Sequence, residues 1–399
     1  MRSTLSGKLL VGTFVLNEGI DRMAQPLDHH FMDAALWSNS LDGTNEDSGN
    51  ARQLAKEFLS PKCEVLKLLL GRNEHSAALV QSIEIDGIVD DFSPAGLWNG
   101  KPVFKCVDIP KNAIVVNCSM SISPVTALRK LQNLGLKKCI NYADLHKARP
   151  DLIPAPLFVS EMRKDFSENQ AHWISLLSKL ADEQSKTVFN DLVHYRLTAD
   201  PVYMSNYSTR LSDQYFEDFL SLNNEVFIDA GGFNGDTTEE FCKRYPDYKK
   251  VVLFEPSLKN MLDAKERLSN HRDIEFMDMG LSDMPGALWF NPDAGSASAV
   301  SAEGACSINV TTLDASVRQK VTFIKMDLEG WELKALEGSK KHILEDHPKL
   351  AISVYHNASD FWRIPEYIAD IRQDYDIYLR HYTEGWSETI MFFVPQKTE

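Results

Sequence analysis

Three glycines lie between two aspartates in the segment VFIDAGGFNGDT, residues 226–237. The segment follows an apolar run of strand type and precedes a helix-like stretch, so it predicts a turn at the carboxyl end of a strand. Ligands of open α/β sheets bind at such ends, where glycine lets the backbone approach a ligand closely. Gly231, Gly232 and Gly235 therefore predict a nucleotide-binding turn, and an ordinary strand-to-helix turn is the alternative.

The charges beside this turn distinguish two kinds of nucleotide. Asp229 and Asp236 flank the glycines and would repel the pyrophosphate of a dinucleotide, which otherwise favours a helix amino terminus. S-adenosylmethionine has no phosphate and carries a sulfonium and an amino group, so nearby carboxylates stabilise it. One close charge pair contributes roughly 1–4 kcal/mol, which is enough to decide between the two. The sequence thus predicts S-adenosylmethionine as the cofactor.

Two later segments contain groups suited to the rest of a nucleoside. Glu255 ends the next predicted strand, in VVLFEP, and its two oxygens match the vicinal hydroxyls of a ribose. Asp278, or the backbone of Met279, in FMDMGLSD could meet the adenine amino group. A solvated acid at a strand end and an ordinary loop acid are the respective alternatives.

Three further residues could act on an acceptor hydroxyl, which needs a base close to its oxygen. Asp327 and Glu329 end a predicted strand in KMDLEGW, and His356 follows another in SVYHNASDFW. One carboxylate could face the sulfonium and the other the acceptor, while histidine is the natural base near neutral pH. The two acids could instead bind a divalent metal with a third acid, but no third ligand is evident nearby, so no metal site is predicted. For His356 the alternative is an ordinary loop histidine.

The bulk composition limits the partners. The chain of 399 residues has a net charge of −15 at pH 7, which disfavours nucleic acid and anionic lipid. Six cysteines without a CxxC or metal-ligand spacing indicate reduced thiols and a cytoplasmic location. No apolar run approaches the length of a membrane span. A small molecule is therefore the expected partner, with a homo-oligomer as a further possibility.

Apolar runs that alternate with helical patterns predict an α/β fold, with two Rossmann-like doubly wound domains joined by a helical connector. The predicted parts are an N-terminal segment of unclear structure (1–60), a Rossmann-like accessory domain (61–147), the connector (148–204) and a second α/β domain that ends in an antiparallel hairpin (205–399). In the accessory domain, Asp90 and Asp91 follow the second strand, the usual place of a ribose-binding acid. A scaffold is the alternative role for this domain. The loop at 291–307, rich in small residues, could close over a substrate or be a disordered insertion.

Residues from about 205 to 395 resemble the FkbM family of S-adenosylmethionine-dependent methyltransferases. The matching pieces are FIDAGGFNGDT, LFEP, MGLSD, VTTLD, FIKMDLEGWELKALEG and LAISVYH. The resemblance implies a class I methyltransferase fold for this domain, with S-adenosylmethionine bound by the residues named above. It also implies O-methylation of sugars, polyketides or other hydroxylated metabolites.

The sequence as a whole predicts an enzyme that transfers a methyl group from S-adenosylmethionine to a hydroxyl of a small metabolite, such as a sugar, a sugar-containing compound or a sugar-nucleotide. Two alternatives stay open at this point. One is a nicotinamide-dependent sugar-nucleotide oxidoreductase, which the aspartates around the turn disfavour. The other is a non-catalytic nucleotide-binding protein.

Overall fold

Two mainly parallel sheets, with two long helices between them in the chain, dominate the computed structural model, which describes residue 37, residues 49–290 and residues 306–397. Most of the N-terminal segment 1–60 lies outside the described residues, although its last part forms helix α1, Gly49–Leu59. Residues 291–305 of the loop predicted to close over a substrate also lie outside them.

The first sheet has six strands in the order β3-β4-β2-β1-β5-β6. Its strands are β1 Lys67–Leu70, β2 Gly87–Val89, β3 Leu97–Trp98, β4 Lys101–Phe104, β5 Ile114–Asn117 and β6 Cys139–Asn141. Helices α2 Glu74–Ser82, α3 Pro124–Asn133 and α4 Tyr142–Ala148 alternate with them. All neighbours pair in parallel except β3 and β4. The order of the parallel strands reverses between β1 and β5, as in a doubly wound Rossmann-like sheet.

Two helices, rather than one continuous helical stretch, follow the first sheet. They are α5 Leu157–Lys179 and α6 Glu183–Thr198. The chain leaves the helix at Leu180, and the side chain of Asp182 accepts a hydrogen bond from the Ser185 N–H at 2.8 Å, which caps α6. Such a cap favours a new helix start, but it contains neither proline nor glycine to mark the break in the sequence.

The second sheet has seven strands in the order β15-β16-β14-β13-β7-β8-β9. Its strands are β7 Val226–Ala230, β8 Lys250–Phe254, β9 Ile274–Met277, β13 Phe323–Met326, β14 Lys349–Ser353, β15 Tyr375–His381 and β16 Thr389–Pro395. The helices that alternate with them are α7 Asp236–Arg244, α8 Leu258–Arg267, α9 Leu313–Ser316, α10 Glu332–Glu337, α11 Lys340–Asp346 and α12 Asp360–Ile371. Strands β10 Gly280–Leu281, β11 Gly286–Phe290 and β12 Cys306–Thr311 form a separate small sheet. The predicted antiparallel hairpin is present as β15 and β16.

The central strands of the second sheet are buried along almost their whole length. In β7, β8, β13 and β14 every residue after the first is buried, and β13 is buried throughout. Parallel strands covered by helices on both faces need such continuous apolar runs. Lys325, in the middle of β13, departs from this rule because its charged side chain is only 2% exposed. The predicted α/β class with two doubly wound sheets is confirmed, whereas the domain boundaries stay a prediction because one hydrophobic cluster contains residues of both sheets.

Helix α6 and the loop after β15 hold the first sheet against the second. The guanidinium of Arg196, which is 1% exposed, donates hydrogen bonds to the carbonyls of Tyr355 and Trp386 at 2.9 Å each. The Glu384 carboxylate accepts hydrogen bonds from the Thr126 N–H at 2.7 Å and from its hydroxyl at 2.5 Å. The loop that follows β14 is therefore anchored from outside its own sheet. Among the described helices, none combines the length and apolar character needed to cross a membrane.

His381, at the end of β15, is buried and makes the stability of the fold dependent on pH. Its Nδ1 lies 2.9 Å from the Thr389 hydroxyl, and burial, together with the charge of Arg196, lowers the pKa of His381 to about 3. The folded-state pKa is depressed, so the unfolded chain binds a proton below about pH 6.5 that the folded chain does not. We expect this histidine alone to lower the free energy of unfolding by about 2 kcal/mol between about pH 7 and about pH 5.

Urea unfolding of wild-type protein and of His381→Gln at these two pH values measures the effect. The loss of stability on acidification should be smaller in His381→Gln by about 2 kcal/mol. His172→Gln is the control for replacing a surface histidine, because that imidazole is 44% exposed and pairs with Glu366, and such a surface pair contributes about 1 kcal/mol or less. An equal loss in wild type and His381→Gln would contradict a neutral buried His381.

Candidate active site

The glycine turn after β7 is packed tightly against its own protein. Gly231 has φ +77°, and a Cβ there would lie 2.0 Å from the Asp327 carbonyl oxygen. A Cβ on Gly232 would lie 2.4 Å from Cγ of Leu253. Gly235, with φ +79°, immediately precedes α7. These contacts give the glycines a packing role that the sequence did not predict, while their contact with a ligand stays a prediction.

Asp229 differs from the flanking acid that the sequence predicted. It is 0% exposed; its Oδ1 lies 3.0 Å from Nζ of Lys325, and its Oδ2 accepts a hydrogen bond from the Thr238 hydroxyl at 2.6 Å. Lys325 also donates to the Gly231 carbonyl at 2.8 Å. Burial opposes the charge on Lys325, but Asp229 and Asp327 outweigh it and raise the pKa of Lys325. Asp229 is thus paired inside the protein and holds the turn, while its predicted contact with a cationic cofactor stays a prediction.

Glu255, directly after β8, lies beside the same turn. Its Oε2 accepts a hydrogen bond from the Phe233 N–H at 3.0 Å, and its Oε1 accepts one from the Ser257 N–H at 2.8 Å. Burial raises the pKa of Glu255, and these backbone hydrogen bonds oppose the effect. Oε1 also accepts a long hydrogen bond from the Asn260 amide at 3.5 Å. A carboxylate oxygen has two lone pairs, so Oε2 retains a free acceptor site.

The other predicted cofactor-binding groups, which are Asp236, Asp278 and the backbone of Met279, lie in different local environments. Asp236 is exposed in the first turn of α7, where it accepts the Thr237 N–H at 2.8 Å. Asp278 has a side chain that is 56% exposed and paired with Lys265 at 3.0 Å. The Met279 N–H donates to the Met277 carbonyl at 2.7 Å, so that backbone donor is already occupied.

The three predicted catalytic residues meet at the carboxyl ends of β13 and β14, together with Glu332. Nε2 of His356 lies 3.5 Å from Oδ1 of Asp327 and 3.5 Å from Oε2 of Glu329. Its Nδ1 lies 3.0 Å from Oε1 of Glu332. The Glu332 side chain is 0% exposed and that of Glu329 is 60% exposed. We call these four residues the acidic cluster.

Tyrosines hold one member of the acidic cluster in place. Oδ2 of Asp327 accepts a hydrogen bond from the Tyr215 hydroxyl at 2.8 Å, and Oδ1 accepts one from the Tyr355 hydroxyl at 3.3 Å. Burial raises the pKa of both phenols well above their usual value, so they remain donors. Sequence reasoning missed Tyr215, because it lies before the sheet in the chain. Glu332 was also missed, although its position three residues after Glu329, at a helix start, was a usable signal.

The acidic cluster changes the chemistry expected of His356. Burial opposes a charge on the ring, but Glu332, Asp327 and Glu329 outweigh it and raise the pKa of His356 to about 10. The carboxylates therefore favour the protonated ring over the free base that the sequence suggested, while the catalytic role of His356 stays a prediction. Three carboxylates around one imidazole are the physical reason.

A cleft of about 320 Å³ opens beside the acidic cluster. Gly330 and Trp331, which follow Glu329, line it together with Asn357, Asp360 and Arg363. Hydrogen-bonding groups, a guanidinium and an indole face the same space. The cleft is therefore suited to a polar molecule that also offers an apolar face.

At the corresponding edge of the first sheet, the two candidate ribose-binding acids are already paired. Oδ2 of Asp90 lies 2.7 Å from Nε of Arg72, and Oδ2 of Asp91 lies 2.5 Å from Nζ of Lys130. The charge of each acid is therefore balanced by a neighbouring side chain.

The order of the second sheet, with β16 antiparallel between β14 and β15, is that of the class I methyltransferase fold. The fold is similar over 90% of this chain and 98% of the other to the crystal structure of Methyltransferase FkbM from Methylobacillus flagellatus KT, at 23% identity and a TM-score of 0.70. The family model of the methyltransferase FkbM domain matches residues 229–383. This part of the chain is an FkbM methyltransferase domain, which confirms the resemblance found in the sequence.

A second solved structure has a much weaker likeness to the chain. An rRNA methylase from Streptococcus thermophilus matches at 20% identity, over 50% of this chain and 98% of that one, with a TM-score of 0.31. That value is too low to support an argument about function. No curated protein matches the sequence.

The buried ion pair of Lys325 and Asp229 should be essential for stability. Removing one partner of such a pair leaves an uncompensated buried charge and destabilises a protein by about 3–5 kcal/mol. We expect Lys325→Met to lower the free energy of unfolding in urea by this amount. The double variant Asp229→Asn/Lys325→Met should recover part of it, because no unpaired carboxylate remains.

Lys259→Met is the control for this experiment, since Lys259 forms an exposed i,i+4 pair with Asp263. Such pairs contribute about 0.5 kcal/mol or less. A loss of less than about 1 kcal/mol in Lys325→Met would show that the pair does not hold the turn.

Proposed function

We propose that the protein transfers a methyl group from S-adenosylmethionine to a hydroxyl of a small metabolite, such as a sugar or a sugar-containing compound. The observation that carries this proposal is the position of the acidic cluster. Its residues lie at the same sheet edge as the glycine turn of the FkbM methyltransferase domain, and Gly231 packs against the Asp327 carbonyl. Cofactor turn and reactive side chains are therefore neighbours.

S-adenosylmethionine fits the charges of this edge. The charge of Asp229 is neutralised by Lys325. Asp236, however, is exposed at the glycine turn, and the side chain of Glu329, in the neighbouring acidic cluster, is 60% exposed. Both attract a sulfonium or an ammonium group and repel a pyrophosphate. This favours the cationic nucleoside over the nicotinamide dinucleotide of the alternative function. The free lone pair on Oε2 of Glu255 is suited to a ribose hydroxyl.

The acceptor is proposed to lie in the cleft beside Trp331, with its hydroxyl at the acidic cluster. Methyl transfer is an in-line displacement, so holding the acceptor oxygen in line with the sulfonium supplies much of the rate. The hydroxyl proton needs an acceptor within hydrogen-bond reach. Glu329 is the most exposed carboxylate of the acidic cluster, and we assign it this role, with Asp327 and His356 positioning the groups around it.

We further propose that residues 61–147 act as an accessory domain and that 148–204 connect it to the catalytic domain at 205–399. The pairing of Asp90 with Arg72, and of Asp91 with Lys130, supports a scaffold role for the accessory domain over ribose binding. The net charge of −15 supports a small-molecule acceptor over nucleic acid.

Cofactor binding tests the first half of the proposal. Glu255→Gln should weaken S-adenosylhomocysteine binding by about tenfold to a hundredfold, the loss expected for hydrogen bonds to a charged group. Calorimetry measures the affinity, and Glu275→Gln, on the neighbouring strand β9 with its side chain 47% exposed, is the control. Unchanged affinity in Glu255→Gln, or tighter binding of NAD than of S-adenosylhomocysteine by the wild type, would refute the proposal.

Catalysis tests the second half. Release of S-adenosylhomocysteine is measured with a panel of hydroxylated sugars and sugar-nucleotides. With any active acceptor, Glu329→Gln should lower kcat by about 10²–10⁴ while the cofactor affinity stays within a few-fold. Glu345→Gln, an exposed acid on α11, should retain full activity. Wild-type activity in Glu329→Gln would contradict this assignment and would show that another group accepts the proton.

A further inference from the structure

Three side chains of the acidic cluster converge closely enough to hold a metal ion. Asp327, Glu332 and His356 each offer one ligand atom, and these atoms lie within 4.8 Å of one another. They come from the end of β13, the start of α10 and the loop after β14. Acidic residues often gather without binding an ion, so convergence alone does not make a site.

Unpartnered polar atoms in the same place supply a second, independent observation. Oε2 of Glu332 and both ring nitrogens of His356 are buried and have no hydrogen-bond partner among the described residues. The side chains are 0% and 6% exposed, respectively. Carboxylate oxygens lie 3.0–3.5 Å from the ring nitrogens, but they are not placed to accept aligned hydrogen bonds. A buried polar group left without a partner destabilises the protein, so these atoms point to a ligand.

We propose that Asp327, Glu332 and His356 bind one divalent transition-metal ion, of the Mn²⁺ or Zn²⁺ class. An ion between the donor atoms is coordinated through lone pairs and does not need an N–H aligned with a carboxylate. One imidazole and two carboxylates favour these ions over Ca²⁺ and Mg²⁺, which prefer oxygen ligands alone. Two carboxylates also balance the charge of a divalent ion.

The surroundings fix two of the three ligands in advance. Hydrogen bonds from Tyr215 and Tyr355 orient the Asp327 carboxylate. The Leu328 N–H donates to Oε1 of Glu332 at 2.6 Å, which leaves Oε2 available. Such contacts from outside the ligand set orient metal ligands in proteins and strengthen binding. Glu329, 3.5 Å from Nε2 of His356 and largely exposed, remains free to bind the acceptor.

The ion would activate the acceptor hydroxyl at this edge of the sheet. This step rests on the proposed function, whereas the metal site itself does not. An acceptor hydroxyl bound to the ion becomes more acidic. Its proton passes to Glu329, the oxygen forms a bond to the methyl carbon, and the carbon–sulfur bond breaks. The bonding electrons stay on sulfur, and S-adenosylhomocysteine leaves as a neutral thioether. The substrate class would then be hydroxyl compounds that chelate a metal, such as vicinal diols.

Binding of Mn²⁺ and Zn²⁺ to the full chain, stripped with a chelator, tests the site without cofactor or acceptor, so its outcome is separate from that of the methyl-transfer assays. We expect one equivalent of either ion to bind in calorimetry. Glu332→Gln and His356→Asn should each weaken binding by about tenfold or more. His342→Asn is the matched control, because its Nδ1 already pairs with Asp346 and its Nε2 with the Val317 carbonyl; it should bind the ions as the wild type does.

Circular dichroism confirms that each variant is folded. In the wild type, the Mn²⁺ spin-echo spectrum should contain modulation from one imidazole nitrogen, which His356→Asn removes and His342→Asn retains. Absence of stoichiometric binding in the wild type overturns the proposal. The proposal is also overturned if either folded cluster variant binds the ions with wild-type affinity. If both cluster variants fail to fold, the spin-echo spectrum of the wild type decides, because a bound Mn²⁺ without a nitrogen ligand overturns the proposal.

Discussion

The candidate active site depends on one buried ion pair, Lys325 with Asp229. Both residues lie inside central strands of a sheet that is otherwise apolar, and neither charge is tolerated there without the other. The pair also fixes geometry, because Lys325 donates to the Gly231 carbonyl and so connects β13 to the turn after β7. This contact thereby holds the glycine turn next to the end of β13, where the acidic cluster begins.

Strand order then brings the remaining groups together. The carboxyl ends of β7, β8, β13 and β14 lie along one edge, so residues far apart in the chain become neighbours. Gly231 and Asp327 are close enough that a methyl group on the glycine would not fit between them. Arg196 adds a constraint from outside the sheet by anchoring the carbonyl of Tyr355, the residue before His356. Contacts therefore hold Asp327, Glu332 and the chain before His356 in place, whereas the side chain of Glu329 is exposed.

The sequence alone could predict the fold class and the edge of the sheet where the site lies, because apolar runs and strand-end acids are local patterns. It could not predict that Asp229 is neutralised, since Lys325 is remote in sequence and a buried ion pair leaves no periodic signal. The glycines were assigned to ligand approach, whereas Gly231 is already explained by the Asp327 carbonyl. Glu332 was missed because a helix-start glutamate usually interacts with the helix alone. In all three cases, a contact with a residue that is remote in the sequence determines the role of the side chain or glycine.

The geometry of His356 also decides which group can accept a proton from the acceptor. Both ring nitrogens lie close to carboxylates, Nε2 to those of Asp327 and Glu329 and Nδ1 to that of Glu332. Whether the ring holds a proton or an ion, no nitrogen lone pair is directed at a substrate. A proton acceptor must combine negative charge with access to the substrate, and Glu329, with a side chain that is 60% exposed, is the most accessible carboxylate of the acidic cluster. Under the proposed function, the excess of acids that favours a cationic cofactor therefore also assigns the role of base to a carboxylate and not to the histidine.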